Sequence, residues 1–168
     1  MEIRVALALC VVLFSALCGK SLADGVRRRA NSLRALAEGL RRLRIHMTSM
    51  FEPVQNALDH ADCPLMAMVA EGMRGGLSAK AAWEEIEKKA ARRGGPIDSL
   101  TEADRKVLAR LFAGLGQSGR EEQDLLLGSA LQAIESLREG AQEKVGEADR
   151  LYATLGLLIG LMLALIVI

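Results

Sequence analysis

Aromatic side chains are scarce in this 168-residue chain: Phe, Tyr and Trp together make up 3% of it, while hydrophobic residues make up 51%. β-Sheets draw heavily on aromatic and β-branched residues, so this balance favours helices rich in Leu and Ala. Neither sign of charge dominates the chain, because its net charge is +1. The overall charge therefore indicates no class of binding partner. We therefore predict an all-α fold.

Residues for catalysis and cofactor binding are also missing. No Gly-rich loop ends in Gly-Lys-Ser/Thr, which excludes nucleotide binding by a P-loop, and no Ser or Cys lies in a nucleophile signature. The two histidines are His46 and His60. His60 and Cys63 supply at most two metal ligands, and no second pair completes a tetrahedral set. The three cysteines form no disulfide framework. We expect no enzymatic activity, no cofactor and no metal.

The last eighteen residues, 151–168, contain no charged side chain. As a helix they span about 27 Å, close to the ~30 Å hydrocarbon thickness of a bilayer, so we predict a transmembrane helix. Small residues recur at four-residue spacing on one face: Gly156, Gly160 and Ala164. Such a face lets another helix approach closely, and we expect it to pack against the first span or a neighbouring subunit. Ordinary lipid-exposed glycines are the alternative.

The first twenty residues are apolar apart from Glu2, Arg4 and Lys20. They form either a retained transmembrane helix or a signal peptide cleaved at the small residues Ser21 and Ala23. Eight Lys and Arg against two acidic residues follow within residues 20–44, and such a cluster resists translocation. We favour the retained helix, which places residues 21–150 in the cytoplasm and both termini outside.

The arginines of this basic cluster have two interpretations. One is a solvated helix face beside a membrane. The other is contact with anionic lipid head groups, at about 1 kcal/mol per basic residue near the surface. The candidates for this membrane-surface contact are Arg27, Arg28, Arg29, Arg41 and Arg42. We expect no nucleic acid as a partner, because no aromatic residues are interleaved with the arginines and no basic stripe occurs elsewhere.

Apolar spacing predicts a first helix from about residue 24 to the residue before Pro53. Its stripe consists of Leu33, Leu36, Leu40, Leu43, Met47 and Met50. Short helices are expected to begin near Pro53, at Pro64 and after the capping residue Ser78.

Two capping-box patterns predict the starts of the remaining helices, Ser99-x-x-Glu102 and Ser118-x-x-Glu121. After the second pattern no proline occurs, so the last helix is expected to continue into the C-terminal span. A joint near Gly140 or Gly146 is the alternative.

The order of these features resembles stage III sporulation protein AB of endospore-forming bacteria over essentially the whole chain. The residues that carry the resemblance are Pro53-Val54, Ala57-Leu58, Ala82-Trp83-Glu84, Leu115-Gly116, Arg120-Glu121, Gln123 and Leu155-Gly156-Leu157. The chain departs from the family at Gly119, where the family often has Asp, and at Met47, where it often has an aromatic residue.

The family is similar to the platform protein of type II secretion and type IV pilus machines. The resemblance implies a compact bundle of about six helices between two terminal transmembrane helices, residues 1–20 and 151–168. It implies a non-enzymatic component of the complex between mother cell and forespore, in the mother-cell membrane. The implied partners are a secretion-type ATPase and other membrane proteins of the complex, and homo-oligomerisation stays open. Candidate contacts are Arg120, Glu121 and Gln123, whose alternative role is helix capping and surface solvation.

Two other functions compete with this one. The chain could be an envelope-side helical protein with a cleaved signal and a C-terminal anchor. It could also be a membrane-tethered helical module that binds a cytoplasmic partner or anionic lipid, outside any secretion machine.

Overall fold

The computed structural model describes the backbone of residues 2–90 and 97–167, and within these ranges it contains helices and turns but no strand. Side chains are described from residue 24 onward, except at residues 90, 148, 149, 152, 153, 156–161 and 163–167. Six helices follow one another: α1 Glu2–Thr48, α2 Val54–Asp59, α3 Pro64–Arg74, α4 Ala79–Ala90, α5 Glu102–Gly114 and α6 Arg120–Val167. The prediction of an all-α fold with about six helices is confirmed.

The first and last helices run through both predicted membrane segments. α1 begins at Glu2 and not near residue 24, because no helix breaker separates the apolar N-terminal segment from the leucine stripe. α6 continues for 48 residues as one helix, as the prediction of an uninterrupted last helix has it.

Within the part of the chain whose side chains are described, no helix combines the length and apolar character needed to cross a membrane. The side chains of residues 1–20, and most of those in 151–168, lie outside that part. The two transmembrane helices are therefore not confirmed and stay predictions.

The chain divides into two compact units. One contains Asn31–Glu139 and forms the helical bundle, and the other contains Met1–Ala30 together with Gly140–Ile168. In the bundle, α2 packs on α3, α3 on α4, and α4 on α5. The ring centroids of Trp83 and Phe112 lie 5.4 Å apart in a stacked pair that joins α4 to α5 in the core. Consecutive helices from α2 to α5 thus pack side by side.

The leucine stripe of α1 faces the core of the bundle. Leu33, Leu40 and Leu43 are fully buried, as the 3-4 spacing predicts. The stripe fails at Met50, which is exposed because α1 ends at Thr48. The chain reverses after this end, where Phe51 has a φ of 59°.

Helix capping follows the sequence at one position and departs from it at another. The Ala81 backbone N–H donates to Ser78 Oγ (3.2 Å), which confirms Ser78 as a capping residue. The predicted box at Ser99-x-x-Glu102 is wrong, because the reciprocal hydrogen bonds form between Thr101 and Asp104. Ser99 is engaged elsewhere: its hydroxyl lies 2.8 Å from that of Ser32 on α1.

Candidate partner-binding surface

An open surface lies where the C-terminal part of α1 faces the first turns of α6, within the bundle unit. We call it the α1–α6 surface. Its residues are Arg41, Arg44, Ile45, Thr48 and Ser49 of α1, Phe51 of the following turn, and Arg120, Glu121, Asp124, Leu125 and Leu131 of α6. It contains two shallow depressions of about 430 Å³ each, and both are lined by Thr48 and Asp124.

Two ion pairs connect the helices at this surface. Arg44 Nε lies 2.6 Å from Asp124 Oδ1 and Arg44 Nη2 lies 2.8 Å from Asp124 Oδ2, a bidentate arrangement. Arg41 pairs with Glu135 further along α6. The hydrogen bonds from Arg44 lower the pKa of Asp124, and Asp124 in turn raises the pKa of Arg44. The Arg44–Asp124 pair is therefore charged on both sides at neutral pH.

Large apolar side chains surround these charges. Ile45, Phe51 and Leu125 are 50%, 69% and 73% exposed, respectively. The guanidinium carbon of Arg120 lies 4.2 Å from the centroid of the Phe51 ring, within cation–π distance. Protein interfaces are enriched in aromatic residues and Arg, so this composition is typical of a surface that another protein covers.

The backbone at Phe51 adds a second indication. Its φ of 59° lies in the left-handed region, which is an outlier for a bulky residue. Such backbone strain concentrates at functional sites. Here the strained residue carries one of the most exposed large side chains among those described.

Gln123 holds the start of α6 in place. Its side chain is 5% exposed. Its Nε2 donates to the Gly114 carbonyl (2.9 Å) and to Ser118 Oγ (2.8 Å), while its Oε1 accepts from the Gly116 N–H (3.1 Å). Gly116 has a φ of +75°, which glycine tolerates, and this allows the tight turn between α5 and α6. Ser118 lies two residues before the helix start at Arg120, so the second predicted capping box is wrong as well.

The three predicted partner contacts are therefore placed differently. Arg120 and Glu121 are exposed on the α1–α6 surface, whereas the buried amide of Gln123 makes its hydrogen bonds within the chain. Binding of a partner by Arg120 and Glu121 stays a prediction.

The five candidate membrane-surface arginines are divided between the two units. Arg27, Arg28 and Arg29 lie in the unit that contains the chain termini. Arg41 and Arg42 lie in the bundle, where Arg41 pairs with Glu135 and Arg42 Nη1 lies 2.8 Å from Asp62 Oδ2. The surroundings of Gly156, Gly160 and Ala164 are not among those that the structure describes, so their packing role stays a prediction.

Sequence reasoning missed the apolar part of the surface. Ile45 and Leu125 each lie two residues from a buried leucine, Leu43 and Leu127, which turns them about 200° away from it around the helix. A helical-wheel comparison with those leucines marks both as exposed. Pro53 predicts that the first helix ends nearby, but it does not predict the left-handed backbone that exposes Phe51.

Comparison with known proteins agrees with this architecture. A solved structure of Stage III sporulation protein AB matches with a TM-score of 0.58 and 22% sequence identity, over 71% of this chain and 97% of that chain. The shared class is a small all-α bundle, and at this identity the likeness concerns the fold. A comparison with curated proteins gives no match. The family model of Stage III sporulation protein AB matches residues 4–168. The chain therefore belongs to the Stage III sporulation protein AB family, as its sequence features predicted.

Proposed function

We propose that the chain is a non-enzymatic membrane platform of the sporulation complex between mother cell and forespore, and that it binds a secretion-type ATPase through the α1–α6 surface. Membership in the family supports the first part. The observation that carries the second part is the exposed Phe51 ring beneath Arg120, because Arg120 lines the same depression as Leu125 and Asp124. An apolar patch flanked by ordered charges offers both an anchor and a means of orienting the partner.

In this proposal residues 1–20 and 151–168 anchor the chain in the mother-cell membrane, and residues 21–150 lie in the cytoplasm. Support comes from the charge-free C-terminal segment and from the excess of arginine after the N-terminal segment. Arg27, Arg28 and Arg29 then face anionic head groups. Mass analysis of the mature protein tests this arrangement: an intact N-terminus supports it, and a mature chain that begins at Asp24 contradicts it.

Binding of the ATPase can be measured by titration with the full chain in detergent or lipid nanodiscs. We expect saturable binding by the wild type. The variants Phe51→Ser and Leu125→Ser should weaken it at least about tenfold, because a central apolar anchor contributes on the order of 1.4 kcal/mol or more. Both side chains are mostly exposed, so the fold should not depend on them.

Met68→Ser is the matched control. Met68 is also an exposed large apolar residue, but it lies on α3 and lines a different groove, between α3 and α4. Its substitution should leave the affinity for the ATPase unchanged. Equal losses in all three variants, or unchanged affinity in Phe51→Ser and Leu125→Ser, would contradict the proposed surface.

A further inference from the structure

The two histidines of the chain, His46 and His60, both lie beside the carboxylate of Glu52. His46 lies near the end of α1, Glu52 in the connection to α2, and His60 directly after α2. The Nδ1 atom of His46 lies 3.2 Å from Glu52 Oε1, and the Nδ1 atom of His60 lies 2.9 Å from Glu52 Oε2. The two imidazole rings stack with their centroids 4.9 Å apart. Each oxygen of the Glu52 carboxylate therefore lies close to one imidazole nitrogen.

His46 Nδ1 is shielded from solvent, yet it has no well-aligned hydrogen-bond partner in the structure despite its proximity to Glu52. Buried polar atoms are normally satisfied, so an unpartnered one requires an explanation. A bound metal ion would satisfy this nitrogen, because neutral imidazole is a common metal ligand.

The spacing of the donor atoms fits a small transition-metal ion. In a tetrahedral zinc site with bonds of about 2.0–2.1 Å, neighbouring ligand atoms lie about 3.3 Å apart. The His60 and His46 Nδ1 atoms lie 2.9 and 3.2 Å from different oxygens of the Glu52 carboxylate, and one ligand atom from each of the three residues lies within 4.8 Å of the others. A modest inward movement of the two rings would therefore complete the site.

We propose that His46, Glu52 and His60 form a binding site for a divalent transition-metal ion of the Zn²⁺ type. Two imidazole nitrogens and one carboxylate are the protein ligands of known three-ligand zinc sites, and the fourth position is left to water or to an incoming donor. Hard cations such as Mg²⁺ and Ca²⁺ fit poorly, since they prefer oxygen ligands alone. The buried Cys63 is not part of this group of donor atoms.

The position of the site gives the ion a structural consequence. A bound ion would connect the end of α1 to the end of α2 across the reversal that contains Phe51. Because Phe51 belongs to the α1–α6 surface, the ion would fix one border of that surface. The metal site itself does not depend on the proposed binding of the ATPase.

Calorimetric titration of the chelator-treated full chain with Zn²⁺ tests the site. We expect one Zn²⁺ per chain. His60→Asn and Glu52→Gln should each weaken the binding at least about tenfold, since each removes one of three ligands. His60 is 57% exposed, so His60→Asn is expected to fold, which circular dichroism verifies. Co²⁺ should give ligand-field bands without thiolate charge transfer, and His60→Asn should abolish them.

Two control variants separate this site from adventitious binding. Asp59→Asn changes the acid next to His60, whose carboxylate lies 3.1 Å from Arg74 Nη2 and outside the cluster. Cys63→Ser removes the thiol of the bundle. Both should bind Zn²⁺ as the wild type does. Absence of stoichiometric binding, equal affinity in His60→Asn, or loss of binding in Cys63→Ser would overturn the proposal.

Discussion

At the scale of single residues, Gln123 connects the sequence pattern to the local structure most directly. The motif Arg120-Glu121 followed by Gln123 begins α6, and a glutamine three residues into a helix can reach back over its own start. It does so here, but it bonds to the α5–α6 turn through Gly114, Gly116 and Ser118. Its role is to orient the first turn of α6, where Arg120 and Glu121 are exposed.

Replacing this amide should lower the stability of the bundle. Gln123→Leu keeps the volume but leaves the Gly116 N–H and the Gly114 carbonyl without their partner, at a cost of about 1–3 kcal/mol in the free energy of unfolding. Chemical denaturation of the full chain measures the change. Glu121→Gln is the control. This side chain is exposed near Gln123 on the first turn of α6, and its substitution should leave the free energy of unfolding unchanged. Unchanged stability in Gln123→Leu together with lost ATPase binding would make Gln123 a direct contact instead.

The Arg44–Asp124 pair predicts a dependence of stability on pH. Arg44 lowers the pKa of Asp124 in the folded chain, so Asp124 contributes stability above the ordinary aspartate pKa and loses it as the pH falls through the lowered value. The other charged group that acts on Asp124 is Arg120. We expect Asp124→Asn to lower the thermal midpoint at pH 7, and we expect this difference from the wild type to shrink as the pH falls below the ordinary aspartate pKa.

Thermal unfolding of both proteins across this pH range checks the expectation. Glu122→Gln, on the same turn of α6, serves as the control and should show no such trend. A difference between wild type and Asp124→Asn that stays constant with pH would show that the carboxylate charge is not what stabilises the pair.

At the scale of the helices, close packing depends on where glycine allows two backbones to approach. A Cβ atom added at Gly39 of α1 would lie 2.8 Å from Cys63 Cβ, at the start of α3. A Cβ added at Gly140 of α6 would meet nothing within 4 Å. These two glycines therefore differ in environment although both lie inside a helix.

Alanine substitutions should separate the two glycines. Gly39→Ala should destabilise the chain by about 1–3 kcal/mol, because α1 and Cys63 must move apart to make room for the added methyl group. Gly140→Ala should stabilise it by about 0.5–1 kcal/mol, because alanine restricts the unfolded chain and has space here. The same denaturation experiment measures both. If Gly39→Ala were as stabilising as Gly140→Ala, the packing of α1 against the start of α3 would be wrong.

The helices show how far the sequence predicts this fold. The regular spacing of the leucines was sufficient to predict which face of α1 is buried. The capping residue Ser78 was also identified correctly. The capping box of α5 was placed two residues too early, because Ser99 bonds to Ser32, a contact 67 residues away that local reasoning does not contain.

The candidate sites were less predictable than the helices. Arg120 and Glu121 were identified through the resemblance to the family, but their neighbour Phe51 is exposed only because the chain reverses after α1. His46 and His60 were considered without their shared partner Glu52, because irregular spacing across two helix ends carries no signal. Tertiary geometry, and not residue type, brings these groups together.

At the scale of the whole molecule, the chain combines a helical bundle, Asn31–Glu139, with a second unit built from the outer parts of its two long helices. This division fits the proposed roles: the terminal parts serve membrane attachment, and the bundle presents the α1–α6 surface to the ATPase. The proposed metal site would lie at the border of that surface.

Photo-crosslinking tests the central claim most directly. A photoreactive amino acid is placed at position 51, 125 or 68 of the full chain, reconstituted in lipid with the ATPase of the complex. The account predicts crosslinks to the ATPase from positions 51 and 125 and none from position 68, which lies on α3. Crosslinks from position 68 with none from positions 51 and 125 would contradict it.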